Sequence, residues 1–213
     1  MSWPGEEKAW GILSELDPEA TEKNTGATFN SETSSYELRC LGQDINVSLK
    51  DKEMTASSET GQYLVNDLAE YSCLSILSYL TSAKDIPLTG ELVRPSDLSG
   101  GGIFVRGTHV IPMDMVAAAF GDDREKLLDI GKELGGLRRE YGDVSIELLP
   151  FRRVPMTIVV WAGDEDFPAK ASLLCDSTCT LHMPIDVLWA VAMMVVKAIM
   201  KDEQCGGSEC CGL

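Results

Sequence analysis

Three carboxylates stand together at Asp164, Glu165 and Asp166, directly after an apolar run that ends at Trp161. Adjacent carboxylates on a strand-end loop can hold a hard cation such as Mg²⁺ or Ca²⁺. Crowding can also raise the pKa of one of them and make it an acid or base. Asp176, at the end of the next strand, can join the group. The competing reading is a solvated turn in which one carboxylate accepts backbone N–H bonds.

Cys175, Cys179 and His182 form a Cys-x3-Cys-x2-His stretch, whose thiolates and imidazole suit zinc or iron. The spacing is close to the Cys-x3-Cys-x2-Cys of radical-SAM enzymes, but the chain lacks their series of strand–helix units. The competing reading makes Cys175 a small buried strand residue. Cys205, Cys210 and Cys211 lie among glycines near the end of the sequence, where thiols can carry a soft metal or exchange disulfides. Five thiols and one imidazole would be enough for an iron–sulfur cluster if the two groups met. Two basic doublets, Arg138-Arg139 and Arg152-Arg153, stand out in an acidic chain. Arginine forks suit carboxylates or phosphates. Arg152, Arg153 and Trp161 are therefore the candidate cofactor-binding residues, with a structural pairing of Arg153 to the 164–166 turn as the competing expectation. Gly100 to Gly102 is no Walker loop, because no Gly-Lys-Ser/Thr follows, and His109 has no partner nucleophile at readable spacing.

The elements that must position these residues are readable from periodicity. Met156 to Trp161 is continuously apolar apart from Thr157 and rich in β-branched residues, which suits a strand covered on both faces and makes Trp161 a core residue. Gly163 breaks it, and Ala171 to Cys175 returns. Glu6 to Leu16 reads as a helix with Trp10, Leu13 and Leu16 near one face, and Asp17-Pro18 opens a second helix that ends near Gly26. Thr28 to Asn30, Tyr36 to Leu41 and Ile45 to Leu49 read as antiparallel strands with a turn at Gly42. Asp51 to Gly61 reads as a polar loop. Tyr63 to Ser82 carries a helical stripe, and Asp85 to Gly102 is a long irregular connection. Two helices split at Gly121, a strand over Val144 to Leu148 and a last helix from Pro184 to about Lys201 complete the series. Strands and helices come in blocks, so the expected fold is α+β, mostly antiparallel, with a single domain over 1–203, a long C-terminal core helix and a flexible cysteine-rich tail over 204–213.

Composition bounds the function. Acidic residues outnumber basic ones 34 to 18, for a net charge of −16, which disfavours nucleic acid and anionic membranes. The longest apolar run, Val187 to Val196, has half the roughly 20 residues of a bilayer span. The first residues carry neither a basic region nor an apolar run, so no signal peptide is expected. Seven cysteines without an export signal fit a reducing, cytoplasmic setting.

Ile86-Pro-Leu-Thr-Gly-Glu91, Leu134-Gly-Gly136 and, above all, Trp161-x-Gly-Asp-Glu-Asp-Phe-Pro168 are similar to a prokaryotic family catalogued as domain of unknown function 3786, found mainly in anaerobes. The resemblance spans about Trp10 to Ile199. It implies a redox or metal context, in the company of corrinoid and metalloenzyme systems, and no particular reaction. Cys175 and Cys179 depart from the family's pattern, which implies an aromatic before Asp176 and a small residue after it. The leading expectation is an accessory binding protein that handles a metal, an iron–sulfur cluster or a corrinoid-like tetrapyrrole, with a metalloenzyme or corrinoid protein as partner. A metal-dependent enzyme using the 164–166 carboxylates and a plain interaction module are the alternatives.

Overall fold

The computed structural model describes residues 5–201, and two antiparallel sheets carry the chain. The first runs in order β1-β2-β3-β4, with β1 at Thr28–Asn30, β2 at Ser35–Cys40, β3 at Gln43–Ser48 and β4 at Glu53–Ala56. The second is built from β5 (Leu92–Val93), β6 (Leu137–Arg139), β7 (Val144–Phe151), β8 (Val154–Trp161) and β9 (Lys170–Asp176), in the order β5-β9-β8-β7-β6. The α-helices are α1 (Glu6–Glu15), α2 (Pro18–Thr25), α3 (Glu59–Gln62), α4 (Ala69–Ser82), α5 (Met113–Phe120), α6 (Arg124–Glu133), α7 (Cys179–His182) and α8 (Ile185–Ile199). The architecture is a single-domain α+β fold with antiparallel sheets and a long C-terminal core helix.

The centre of the second sheet is β8. Every residue from Val154 to Val160 is buried, as a strand with both faces covered requires. Trp161 corrects the expectation of a core tryptophan. It is the last residue of the strand and 41% exposed, because it lies at the end of the sheet where the chain leaves for the acidic turn. α8 buries Leu188, Val191, Val195 and Ile199, and it packs on α4 and β7. Among the described residues no helix is long and apolar enough to cross a membrane.

Local signals explain most boundaries. The Asp17 side chain accepts from Ala20 N at 3.1 Å, Pro18 opens α2, and Gly26 closes it at φ 76°. Leu16, expected on the apolar face of α1, falls just past its end and is exposed. The expected 51–61 loop instead holds β4, which pairs with β3 in the register Val47↔Met54, and the start of α3. The expected continuous helix over 63–82 is interrupted by a π-helical turn at Tyr63–Asp67. The Ser72 hydroxyl donates to Leu64 O at 2.7 Å and satisfies a carbonyl freed by that interruption.

The two sheets meet at the β2–β3 turn. Leu41 and Gly42 both have positive φ, as a tight hairpin turn requires. Gly42 lies so close to α6's end that a Cβ there would sit 2.8 Å from Gly135 N. Leu41 N donates to Leu149 O at 3.0 Å, and Leu149 stands in the irregularity of β7 between Leu148 and Phe151. A bulge thus turns a carbonyl of the second sheet toward the first.

The burial difference along β8 has a measurable consequence. Ile158→Ala is expected to cost about 2–5 kcal/mol, and Trp161→Ala less than about 2 kcal/mol, in denaturant unfolding. The opposite ranking would contradict the placement of Trp161 at the rim.

Candidate functional site

The acidic turn follows β8 directly. Asp164 Oδ1 accepts from Asp166 N at 2.9 Å and Phe167 N at 2.7 Å, while Asp164 N donates to Phe167 O at 2.8 Å. Asp164 therefore organises its own turn through its side chain. Asp164, Glu165 and Asp166 are all exposed. Asp176 is not among them: Trp161 pairs with Lys170 at one end of β9, and Asp176 lies at the other. About 20 Å of strand separates the two.

The far end of β9 is where the remaining candidates gather. Asp176 is buried, 1% exposed, and its carboxylate accepts five bonds. Gly90 N donates at 2.7 Å and Thr89 Oγ1 at 3.1 Å, from the connection before β5. Thr178 donates from its nitrogen at 2.9 Å and its hydroxyl at 2.6 Å. Burial pushes the carboxyl upward, but the bonds from Thr178, Gly90 and Thr89 outweigh it and hold Asp176 below its ordinary 3.8. Two stretches 87 residues apart, the first of them inside the Ile86–Glu91 stretch that carried the family resemblance, are locked together by this one side chain.

Cys175, Cys179 and His182 surround that clamp, and all three are fully buried. Cys175 lies on β9 and donates weakly to Val93 O at 3.7 Å. Cys179 opens α7, and a hydrogen bond with Cys175, followed by burial, pushes its thiol well above the ordinary range. His182 Nδ1 accepts from Lys84 N at 3.5 Å, which puts the proton of the neutral ring on Nε2, and among the described residues that atom has no hydrogen-bond partner. Burial, then the nearby Arg153 charge, pushes His182 below its ordinary 6.5. A thiol held protonated is a poor nucleophile and a poor metal ligand. Among the described residues no group of three His, Cys, Asp or Glu side chains is arranged to hold a metal ion. Cys205, Cys210 and Cys211 lie outside the described residues.

Arg153 is structural, but its partner is not the 164–166 turn. Its guanidinium donates to Asn24 O at 2.5 Å, Lys23 O at 3.1 Å, Ile86 O at 2.9 Å and Asp85 Oδ1 at 2.5 Å. Arg152 packs its side chain over Gly26, and Trp161 stands at the far end of the same strand, so the three expected cofactor-binding residues do not converge. Arg139 pairs with Glu147 at 2.6 Å across β6 and β7. Arg138 lines a hollow with Asp122, Asp123, Glu125 and Asp143. His109 is held through its backbone, where its carbonyl accepts from Trp189 Nε1 at 2.7 Å.

A family profile described as a domain of unknown function, DUF3786, matches residues 17–198. The chain belongs to this family. No curated protein and no solved structure matches it. The family match covers both sheets, the Asp176 clamp and the acidic turn.

Sequence reasoning missed Asp85, Tyr79 and the pair Thr89-Gly90 as the groups that hold the site together. The Tyr79 hydroxyl donates to Thr25 O at 2.9 Å and accepts from Arg153 N at 3.3 Å, while its ring stacks on Phe151. The available signal was a Thr-Gly step, rich in free donors, beyond a proline in an otherwise irregular connection.

The two shifted groups predict a pH profile. His182 has a folded pKa below its unfolded 6.5, so the unfolded chain takes the proton first. Stability then falls with decreasing pH from about 6.5 down to the folded value, by up to about 1.4 kcal/mol per pH unit. His182→Leu should flatten that limb in urea unfolding between pH 7 and 5. Asp176 contributes stability that is complete above about 4 and is lost as pH falls through its lower folded value. Asp176→Asn should cost at least about 2 kcal/mol at pH 7; an unchanged midpoint would remove the clamp from the account.

Proposed function

We propose that this protein is an accessory binding protein that handles a soft metal or a metal-centred cofactor, iron–sulfur or corrinoid-like, for a partner metalloenzyme. Cys205, Cys210 and Cys211 are its ligands in this reading. The observation that carries it is the contrast between two sets of thiols. Cys40, Cys175 and Cys179 are fully buried and Cys73 half-buried within the fold, with burial pushing Cys40 up to about 12 and Cys73 and Cys179 also raised. The three remaining candidates follow Lys201 in the sequence, among glycines, and a thiol becomes a metal ligand as its thiolate. The body supports the same reading, because Asp164, Asp176 and Arg153 are engaged by backbone groups of the fold itself. The redox or metal setting implied by the family resemblance agrees with it.

Anaerobic purification, followed by a visible spectrum and metal analysis of one sample, tests the proposal. Iron, zinc or cobalt near one equivalent is expected in the wild type, lost in the Cys205, Cys210 and Cys211→Ser variant with the thermal midpoint unchanged. A folded, colourless, metal-free wild type that also fails to take up added iron, zinc or cobalt would overturn it.

A further inference from the structure

The long connection after β5 leaves one apolar cleft, and its position follows from the shortness of that strand. β5 pairs only with Asp176 and Cys175, so the edge of β9 over residues 170–174 has no strand beside it. The chain turns away at Arg94-Pro95 and returns through Phe104, Val105, Val110 and Ile111 before α5 packs on β9. These residues, with Leu173, enclose a cleft of about 230 Å³. Its floor includes buried Phe104 and Leu173, while Val105 and Val110 on its walls are 61% and 53% exposed. Both valines line the same cleft, on a connection of a length that is commonly functional.

Charge narrows the ligand. The chain carries a net charge of −16, yet the cleft is lined by no carboxylate, and Arg94 is its one charged residue. Among the described residues the Arg94 guanidinium has no hydrogen-bond or ion-pair partner. Two other hollows among the described residues are richer in carboxylates. The solvent face of the first sheet is lined by Glu37, Asp51 and Glu53, and the hollow beside α6 by Asp122, Asp123, Glu125 and Asp143 against Arg124 and Arg138. A cavity of this size holds seven or eight water-sized groups at about 30 Å³ each. It lies below the roughly 300–1,000 Å³ of sites for drug-sized ligands.

We propose that this cleft binds a small amphipathic carboxylate, with an apolar tail of about eight carbons or a single ring in the cleft and its carboxylate on Arg94 at the mouth. The site is independent of the thiols and of the metal-handling reading. Every residue that lines it belongs to the described body, and none is a cysteine.

Sodium octanoate, octylammonium chloride and 1-octanol are the probes, each titrated below its aggregation threshold into the full-length protein and followed by amide chemical shifts. Octanoate is expected to saturate, with shifts confined to residues 94–113 and 171–173, and to bind on the order of tenfold more tightly than octylammonium. Arg94→Gln should weaken octanoate by about fivefold or more and leave 1-octanol unchanged. Val110→Glu, at an exposed position that the fold tolerates, should block all three. Equal affinity for octanoate and octylammonium, an Arg94→Gln variant that binds octanoate as the wild type does, or shifts that do not saturate or that centre elsewhere would each overturn the assignment. Retention of octanoate binding by the Cys205, Cys210 and Cys211→Ser variant is also expected, and its loss would overturn the independence of the two sites.

Discussion

Arg153 sits in the two-residue turn between β7 and β8 with its side chain 12% exposed, and its fork is spent on two other parts of the chain. Two carbonyls at the end of α2, the Ile86 carbonyl and the Asp85 carboxylate take its donors. Only a planar guanidinium can serve partners fanned out in this way, because a lysine offers one point charge on a flexible stem. The bond from its own backbone to the Tyr79 hydroxyl adds α4 to the same junction. The rest of the site follows from this fixation. Holding Asp85 and Ile86 sets the start of the 84–91 connection, which places Lys84 N against His182 and Thr89-Gly90 against Asp176. Burial first, and the charge of Arg153 second, push His182 below its ordinary value, so the tie that closes the junction also bears on the ring beneath it.

Much of the fold was legible because the signals were local. Apolar runs marked β7, β8 and β9, with β-branched residues in the first two, and an Asp-Pro start with a Gly stop bounded α2. What was not legible lacked such a signal. β4 has one buried apolar residue, Met54, and β6 reads Leu-Arg-Arg with every residue exposed, so neither has an apolar face to detect. β6 forms because β7 offers an edge and because Arg139 can reach Glu147. The π-helical turn before α4 is likewise invisible to a periodicity count, since it shifts the register without changing residue types.

The site was legible as residue types but not as partnerships. Proximity in sequence suggested that Arg153 and Asp176 would join the 164–166 carboxylates. Antiparallel geometry rules that arrangement out, because β8 and β9 each carry the chain the length of the sheet between these groups. Arg153 immediately precedes β8, at the end where Asp176 finishes β9, and the acidic turn lies at the opposite end. The true partners are 68 and 87 residues away, Asp85 and Thr89, in a connection with no periodicity of its own. Trp161 failed for the same geometric reason: apolar composition predicts burial along a strand but not where the covering helices stop.

The sheet order also divides the chemistry between two ends. At the Arg153–Asp176 end, donors and acceptors are paired within the fold and both local thiols are buried, so that end is a lock. Along the β9 edge the opposite holds, since β5 is two residues long and the chain cannot cover the strand it has left. Lengthening β5 would pair that edge and remove the cleft. Its termination at Arg94-Pro95, where proline carries no N–H to continue the ladder, therefore creates both the opening and the cation that lines it. In a chain so acidic, an unpaired arginine beside apolar side chains sets up a local potential that the remainder of the surface opposes. An anion reaching this protein thus meets repulsion at the acidic hollows and attraction at the cleft, and the apolar walls select among anions for those with a hydrocarbon body to bury.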